Sequence, residues 1–164
     1  MTDAFYWDAC VFLAAVNGDP ARLPHIEAML DAASKGDIVI LTSTLSKVEV
    51  AFGASEQLHK VLDPAVEEKI EQLWDTGSPV KVVEFHEVLA DDARRLIRHA
   101  VEKGWSLRPA DAVHLATAMR HKATCFHTYD TRLPKFTGVI GIAVEEPISS
   151  AQMLPLPPPA IPAT

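Results

Sequence analysis

Residues 4–16 read AFYWDACVFLAAV, and the class of architecture follows from this stretch. An alanine and three consecutive aromatic residues suit a short buried strand, which a lone carboxylate, Asp8, closes. Residues 9–16 are then mostly good helix formers. They end before Asn17, Gly18, Asp19 and Pro20, a run of turn residues. A strand that passes straight into a helix is the first half of a β-α-β unit, whose strands pair in parallel.

The alternation continues downstream. Residues 21–35 carry Leu23, Ile26, Met29 and Leu30 at helical spacing, and Gly36 supplies a stop. Residues 37–41 form a second apolar strand. Thr42, Ser43 and Thr44 then offer caps for a helix through Leu45, Val48 and Phe52 that ends at Gly53. Residues 54–76 read as helical, with a fresh start at Asp63 and Pro64, and residues 80–85 as a third strand. A long amphipathic helix follows over 87–103, with Leu89, Ala93, Leu96, Ile97 and Ala100 on one face. Pro109 opens another helix, to about residue 121. Residues 124–128 are a fourth strand and residues 141–144 a weak fifth. The expectation is an α/β domain with a parallel sheet over residues 1–146. Residues 147–164 hold six of the twelve prolines and read as a separate extended or disordered tail.

Bulk composition narrows the function classes. With 48% apolar and 23% charged residues, the chain matches a soluble globular domain. A net charge of −7 argues against a broad, non-specific nucleic-acid surface, but not against a nuclease whose metal ions neutralise local charge. Cys10 and Cys125 lack C-x-x-C spacing and read as reduced thiols packed as small hydrophobes. The acidic N-terminus does not read as a signal peptide. No apolar run is long enough for a membrane span, so a cytoplasmic protein without membrane contact is expected.

Four carboxylates stand out: Asp8, Glu49, Asp111 and Asp130. Asp8 ends the first strand, and Asp130 follows the fourth. Asp111 sits in the first turn of a helix, and Glu49 in the helix after the second strand, among Val48, Val50, Ala51 and Phe52. In open α/β sheets ligands gather beyond the carboxyl ends of the strands, so all four can converge there. Carboxylates are costly against apolar neighbours, and two of them 4 Å apart repel by about 4 kcal/mol at an effective dielectric of 20. A divalent cation is the usual remedy. Each residue also has a plain structural role open to it: Asp111 as a helix cap, Asp130 as a turn residue. Asp8 and Glu49, both expected to be largely buried, therefore carry most of the inference.

The segments FYWDACVFL, STLSKVEVAFG, RPADAVHLATA and HTYDTRL resemble the acidic motifs of PIN domains. The VapC type, the toxin half of bacterial type II toxin–antitoxin pairs, is the particular match. The resemblance spans about residues 4–145 and leaves out the proline-rich tail. It implies a three-layer α/β/α fold with a central parallel sheet of four to five strands. It implies that Asp8, Glu49, Asp111 and Asp130 are the acidic metal-binding and catalytic set for Mg²⁺ or Mn²⁺, and that Thr128 positions a carboxylate or a phosphate. The implied activity is metal-dependent endoribonuclease cleavage by a toxin that pairs with an antitoxin protein and forms a homodimer. Oxygen-only ligands suit such hard cations. The alternative is a non-catalytic module of the same fold that binds RNA or protein. Phosphotransfer proteins also place aspartates at strand ends, but the second acid two residues after Asp8 is replaced by Cys10.

Among the other polar residues, Arg108, Arg132 and Lys135 flank the acidic positions and are candidates for contacting phosphate. Arg94, Arg95 and Arg98 read as a solvated helix face balanced by Asp91 and Asp92. His114 reads as a core-edge histidine bonded to backbone, with orientation of a carboxylate as its other option. Strand alternation turns His127 away from Thr128, and without a Cys/His cluster in the sequence no zinc site is expected.

Overall fold

The computed structural model describes residues 2–148, so the expected tail lies outside the described residues apart from its first two positions. Five strands form one sheet: β1 (Asp3–Trp7), β2 (Ile38–Ser43), β3 (Val80–Val83), β4 (Cys125–His127) and β5 (Ala143–Glu145). Their spatial order is β3-β2-β1-β4-β5, and every pairing is parallel. The helices are α1 (Ala9–Val16), α2 (Leu23–Lys35), α3 (Thr44–Glu49), α4 (Ala54–His59), α5 (Pro64–Trp74), α6 (Glu87–Glu102), α7 (Pro109–Arg120) and α8 (Thr137–Ile140).

Strand alternation assigns side chains to two cores. Tyr6, Leu41, Phe126 and Val144 face α6 and α7, meeting Leu89, Leu96 and Leu115. Trp7 and Ile40 face the other way, against Val11 and Phe12 of α1, Ile26 of α2 and Ile70 of α5. The result is the expected three-layer α/β/α arrangement. The long apolar faces predicted for α2 and α6 are the faces that bury.

β1 is the central strand. The chain first builds outward through β2 and β3, then crosses to the opposite side of β1 with β4. The strand order therefore reverses between β1 and β4, and a crevice opens beyond their carboxyl ends. Asp8 immediately follows one of these strands, and Thr128 to Asp130 follow the other.

One boundary differs from expectation. The helix expected to run through Phe52 ends at Glu49, because Val50 leaves helical geometry (φ −92°, ψ 58°) and buries completely in the α1 core. Val48 and Phe52 are consequently exposed instead of forming an inward face. The helical stretch expected over 54–76, with its fresh start at Asp63 and Pro64, is two helices, α4 and α5. Lys60 stops α4 in the left-handed region at φ 56°, and α5 restarts at Asp63, whose carboxylate accepts the Ala65 N–H at 2.9 Å. Among the described residues no helix is long and apolar enough to cross a membrane.

Candidate active site

Asp8, Glu49, Asp111 and Asp130 line a single cavity of about 350 Å³ at the carboxyl edge of the sheet, together with Cys10, Leu13, Arg108 and His114. A larger groove between α2 and α5 is lined mainly by apolar side chains and holds no such convergence.

Asp8 is the deepest of the four, 6% exposed. It caps α1, accepting the Cys10 N–H at 3.1 Å, and also accepts the Cys10 thiol at 2.7 Å. Burial pushes its carboxyl above the ordinary range, opposed by hydrogen bonding from Cys10 and Thr128. Burial and the Asp8 charge push the Cys10 thiol up in turn, so it remains an S–H donor. Cys10 was expected to pack as a small hydrophobe. Its sulfur instead also accepts the Tyr129 N–H at 3.0 Å and lies 3.3 Å from the Thr128 hydroxyl, tying the ends of β1 and β4 together.

Thr128 is buried, and its hydroxyl accepts the Asp130 N–H at 2.9 Å, fixing the turn that carries Asp130. Asp130 does act as a turn residue, accepting the Arg132 N–H at 2.9 Å. Its carboxylate also takes the Arg132 guanidinium, which holds it below the usual carboxylate range. Asp111 sits in the first turn of α7, as expected, where the helix dipole favours negative charge. Its partner is Arg108, which donates to both oxygens at 2.8 and 3.0 Å and reaches Asp130 at 3.4 Å. Arg108 and Arg132 thus stand beside the carboxylates as expected. Lys135 does not line the cavity: its ammonium lies over the Trp105 ring, 5.4 Å from the centroid.

Glu49 is the last residue of α3, and its side chain is 29% exposed, so it is not the buried group expected. Its carboxylate meets His114 Nε2 at 2.5 Å, and His114 Nδ1 lies 2.7 Å from the Tyr6 hydroxyl. His114 therefore contacts a carboxylate rather than backbone. The sequence showed only that His114 follows Asp111 by three positions; no local signal pointed to Tyr6, whose partner is 108 positions away.

The oxygen-only set fits a hard divalent ion, which can retain several waters between itself and its ligands. Among the described residues the one set of three ligand atoms mutually within 4.8 Å is a different one: Cys125, His127 and Glu145. The absence of a Cys/His cluster in the sequence hid it, because parallel pairing of β4 with β5 sets Glu145 beside His127. Its chemistry is structural as arranged. The Trp7 indole N–H, which can only donate, points at His127 Nδ1 at 3.1 Å and engages the neutral ring's one lone pair. Burial lowers His127 to about 4 and keeps it neutral, while Phe5 stacks on it at 5.0 Å. Arg94 and Arg95 are exposed on α6 and pair with Asp91 and Asp92 at 3.7 and 3.0 Å, but Asp92 is buried and also takes Arg120 of α7 at 2.6 Å, so the face expected to be solvated is so only in part.

No curated protein sequence matches the chain. Among solved structures it is similar to VapBC2 from Rickettsia felis, bound to a DNA fragment from their promoter. That match has 15% identity and a TM-score of 0.66, over 87% of this chain and 98% of that one. It is similar to FitAcB from Neisseria gonorrhoeae at 20% identity and TM-score 0.62, over 87% and 97% of the two chains. It is also similar to VapC20 of Mycobacterium tuberculosis, a sarcin–ricin loop cleaving toxin. There the identity is 17% and the TM-score 0.55, over 77% and 90%. The family model described as PIN domain matches residues 5–139, from the first strand to the last helix, and the chain belongs to the PIN domain family.

Proposed function

We propose that the protein is a divalent-metal-dependent endoribonuclease, the toxin component of a toxin–antitoxin pair. The observation that carries this reading is the convergence of Asp8, Glu49, Asp111 and Asp130 on one cavity at the strand-order reversal. Asp8, Glu49, Asp111 and Asp130 would hold Mg²⁺ or Mn²⁺. When bound, such an ion lowers the pKa of water and draws charge from a phosphate. The chain's own contribution is placement. The Asp8 carboxylate is fixed by Cys10, the turn that carries Asp130 by the Thr128 hydroxyl, and the backbone of Asp111 by its place in the first turn of α7. Arg108 lines the cavity and Arg132 is bonded to Asp130 beside it, where a phosphodiester can take them from the carboxylates. Lys135, over Trp105, does not line the cavity.

The family assignment supports a nuclease, and the similarity to VapBC2, FitAcB and VapC20 supports the toxin–antitoxin setting. An antitoxin would offer a basic side chain to the acidic cavity and cover apolar surface. Exposed Val48, Phe52, Leu58, Val61 and Leu62 on and around α3 and α4 provide such surface, as they would for a second copy in a homodimer. The test is cleavage of RNA by the purified protein with Mg²⁺ or Mn²⁺, its loss with a chelator, and a fall of 100-fold or more in Asp8→Asn, on the order of what displaced catalytic groups cost. Equal cleavage by the variant would reject the assignment. Full metal binding without cleavage of any RNA would favour the non-catalytic module.

A further inference from the structure

Glu49 is held differently from the other three carboxylates. Asp111 and Asp130 are fixed by arginines and Asp8 by the start of its own helix. Glu49 has a longer, more flexible side chain, stands on the last residue of a six-residue helix and is partly exposed. Left to itself it would sample several rotamers.

One continuous chain of hydrogen bonds reaches it through the core. The Ser43 N–H lies 3.1 Å from the Tyr6 hydroxyl oxygen, which lies 2.7 Å from His114 Nδ1; His114 Nε2 lies 2.5 Å from Glu49 Oε2. With His114 as the neutral ring, donor and acceptor accounting gives this chain one direction. A carboxylate accepts only, so Nε2 carries the proton. The Ser43 amide donates only, so Tyr6 accepts it and turns its own proton toward Nδ1. Tyr6 is fully buried on the central strand and His114 is 2% exposed in α7, so neither ring is free to reorient. Tyr6 also stacks on Phe126, with centroids 5.2 Å apart. Packing alone would be served as well by phenylalanine, and a buried hydroxyl is costly unless it is used. Ser43 caps α3, the helix that ends at Glu49, so the chain ties both ends of α3 to β1 and α7.

We infer that Tyr6 and His114 are positioning residues for Glu49: Tyr6 fixes the tautomer of His114, and His114 fixes the carboxylate toward the cavity. This rests on the metal-site reading above. Hydrogen-bonding partners of metal ligands typically contribute about 10- to 100-fold in affinity.

The test is calorimetric titration of the metal-free full chain with Mn²⁺. His114→Leu is expected to weaken binding by about 10- to 100-fold, and Tyr6→Phe by about 3- to 10-fold. His114→Gln, whose amide still donates near the Nε2 position, is expected to recover much of the loss. That recovery is what a purely space-filling role would not produce. In the metal-free wild type, ¹⁵N spectra of His114 should show a protonated Nε2 and an unprotonated Nδ1. Mn²⁺ affinity unchanged in both His114→Leu and Tyr6→Phe, while Glu49→Gln weakens it, overturns the positioning role alone. Affinity unchanged in Glu49→Gln overturns the metal-site reading at Glu49, and the positioning role with it. If His114→Leu does not fold, Tyr6→Phe and the ¹⁵N spectrum decide: the opposite tautomer, or full affinity in Tyr6→Phe, overturns the proposal.

Discussion

Arg108 holds Asp111 through two parallel hydrogen bonds, Nε to Oδ2 at 2.8 Å and Nη2 to Oδ1 at 3.0 Å. Arg132 holds Asp130 in a similar way, with its Nε 2.9 Å from Oδ1. These cations occupy the same carboxylates that an ion would use. Both guanidinium groups are more than half exposed, so each pair is worth about 0.2–1 kcal/mol, or up to about fivefold in an equilibrium.

Arg132→Ala should therefore tighten Mn²⁺ binding by up to about fivefold, because a competitor is removed. It should also raise the KM for RNA and lower the salt dependence of binding by about one phosphate contact. Calorimetry and salt-dependent kinetics read the two effects separately. Weaker Mn²⁺ binding in Arg132→Ala would show instead that the arginine holds Asp130 in place for the ion.

Asp8 is expected to trade stability for function. Its carboxyl is raised above the ordinary 3.8 by burial, so the native state binds more protons than the unfolded chain between 3.8 and the raised value. Stability then falls as pH rises through that window. Without metal at neutral pH, Asp8→Asn should be more stable than wild type by about 1–2 kcal/mol, because the hydrogen bonds from Cys10 only partly offset the burial of the charge. The gap should close below about pH 3.8, where wild-type Asp8 is protonated in both states. Mn²⁺ at 100 times its Kd should stabilise wild type by about 2.7 kcal/mol and leave the variant's melting temperature where it was. Melting curves at two pH values, with and without Mn²⁺, check all three statements, and metal stabilisation of Asp8→Asn would refute the role given to Asp8.

Much of this was legible because the informative signals are local. AFYWDACVFLAAV announces a strand, a carboxylate that closes it and a helix within thirteen residues, and the structure has β1, Asp8 and α1 there. The end of α3 was not legible, because whether Val48 or Val50 turns inward is settled by contact with α1. Cys10, Tyr6 and the β4–β5 cluster were hidden for the same reason. Their partners are 100 or so positions away or on a neighbouring strand, and only strand register brings them together. Glu49 misled in the opposite direction. Its apolar neighbours in sequence suggested burial, yet they point elsewhere and leave its carboxylate at the cavity.

His127 should govern part of the acid limb of stability. Burial lowers it from 6.5 to about 4, so the unfolded chain binds the extra proton throughout that interval. Stability is fully present above 6.5 and is lost as pH falls toward about 4, by roughly 3 kcal/mol for a shift of this size. His127→Gln should flatten the dependence between those values, although it also forfeits stacking on Phe5 and loses stability at neutral pH. An identical pH slope in wild type and variant would remove His127 from the account.

Glu56 separates stability from the site. The residue is 6% exposed, yet it is a carboxylate with no basic partner among the hydrogen bonds and ion pairs described. Its two oxygens accept backbone N–H groups on either side of α4: Gly53 at 2.8 Å and Asp63 at 2.6 Å. One side chain thus caps α4 from within and pins the start of α5, whose Ile70 fills the core beneath α1. Glu56→Ala leaves both amides without this acceptor. Hydrogen bonds to charged groups contribute about 1.5–3 kcal/mol each, and partial rehydration of the freed amides brings the expected loss to about 3 kcal/mol. For a chain of this size that is a fall of about 6–12 °C in Tm. Glu56→Gln keeps one oxygen acceptor and should lose about half as much. Mn²⁺ affinity below the transition should be unchanged in both variants, because Glu56 does not line the acidic cavity. A Tm within about a degree of wild type in Glu56→Ala would mean that water replaces the carboxylate at no cost, and that α4 is held by its apolar contacts alone.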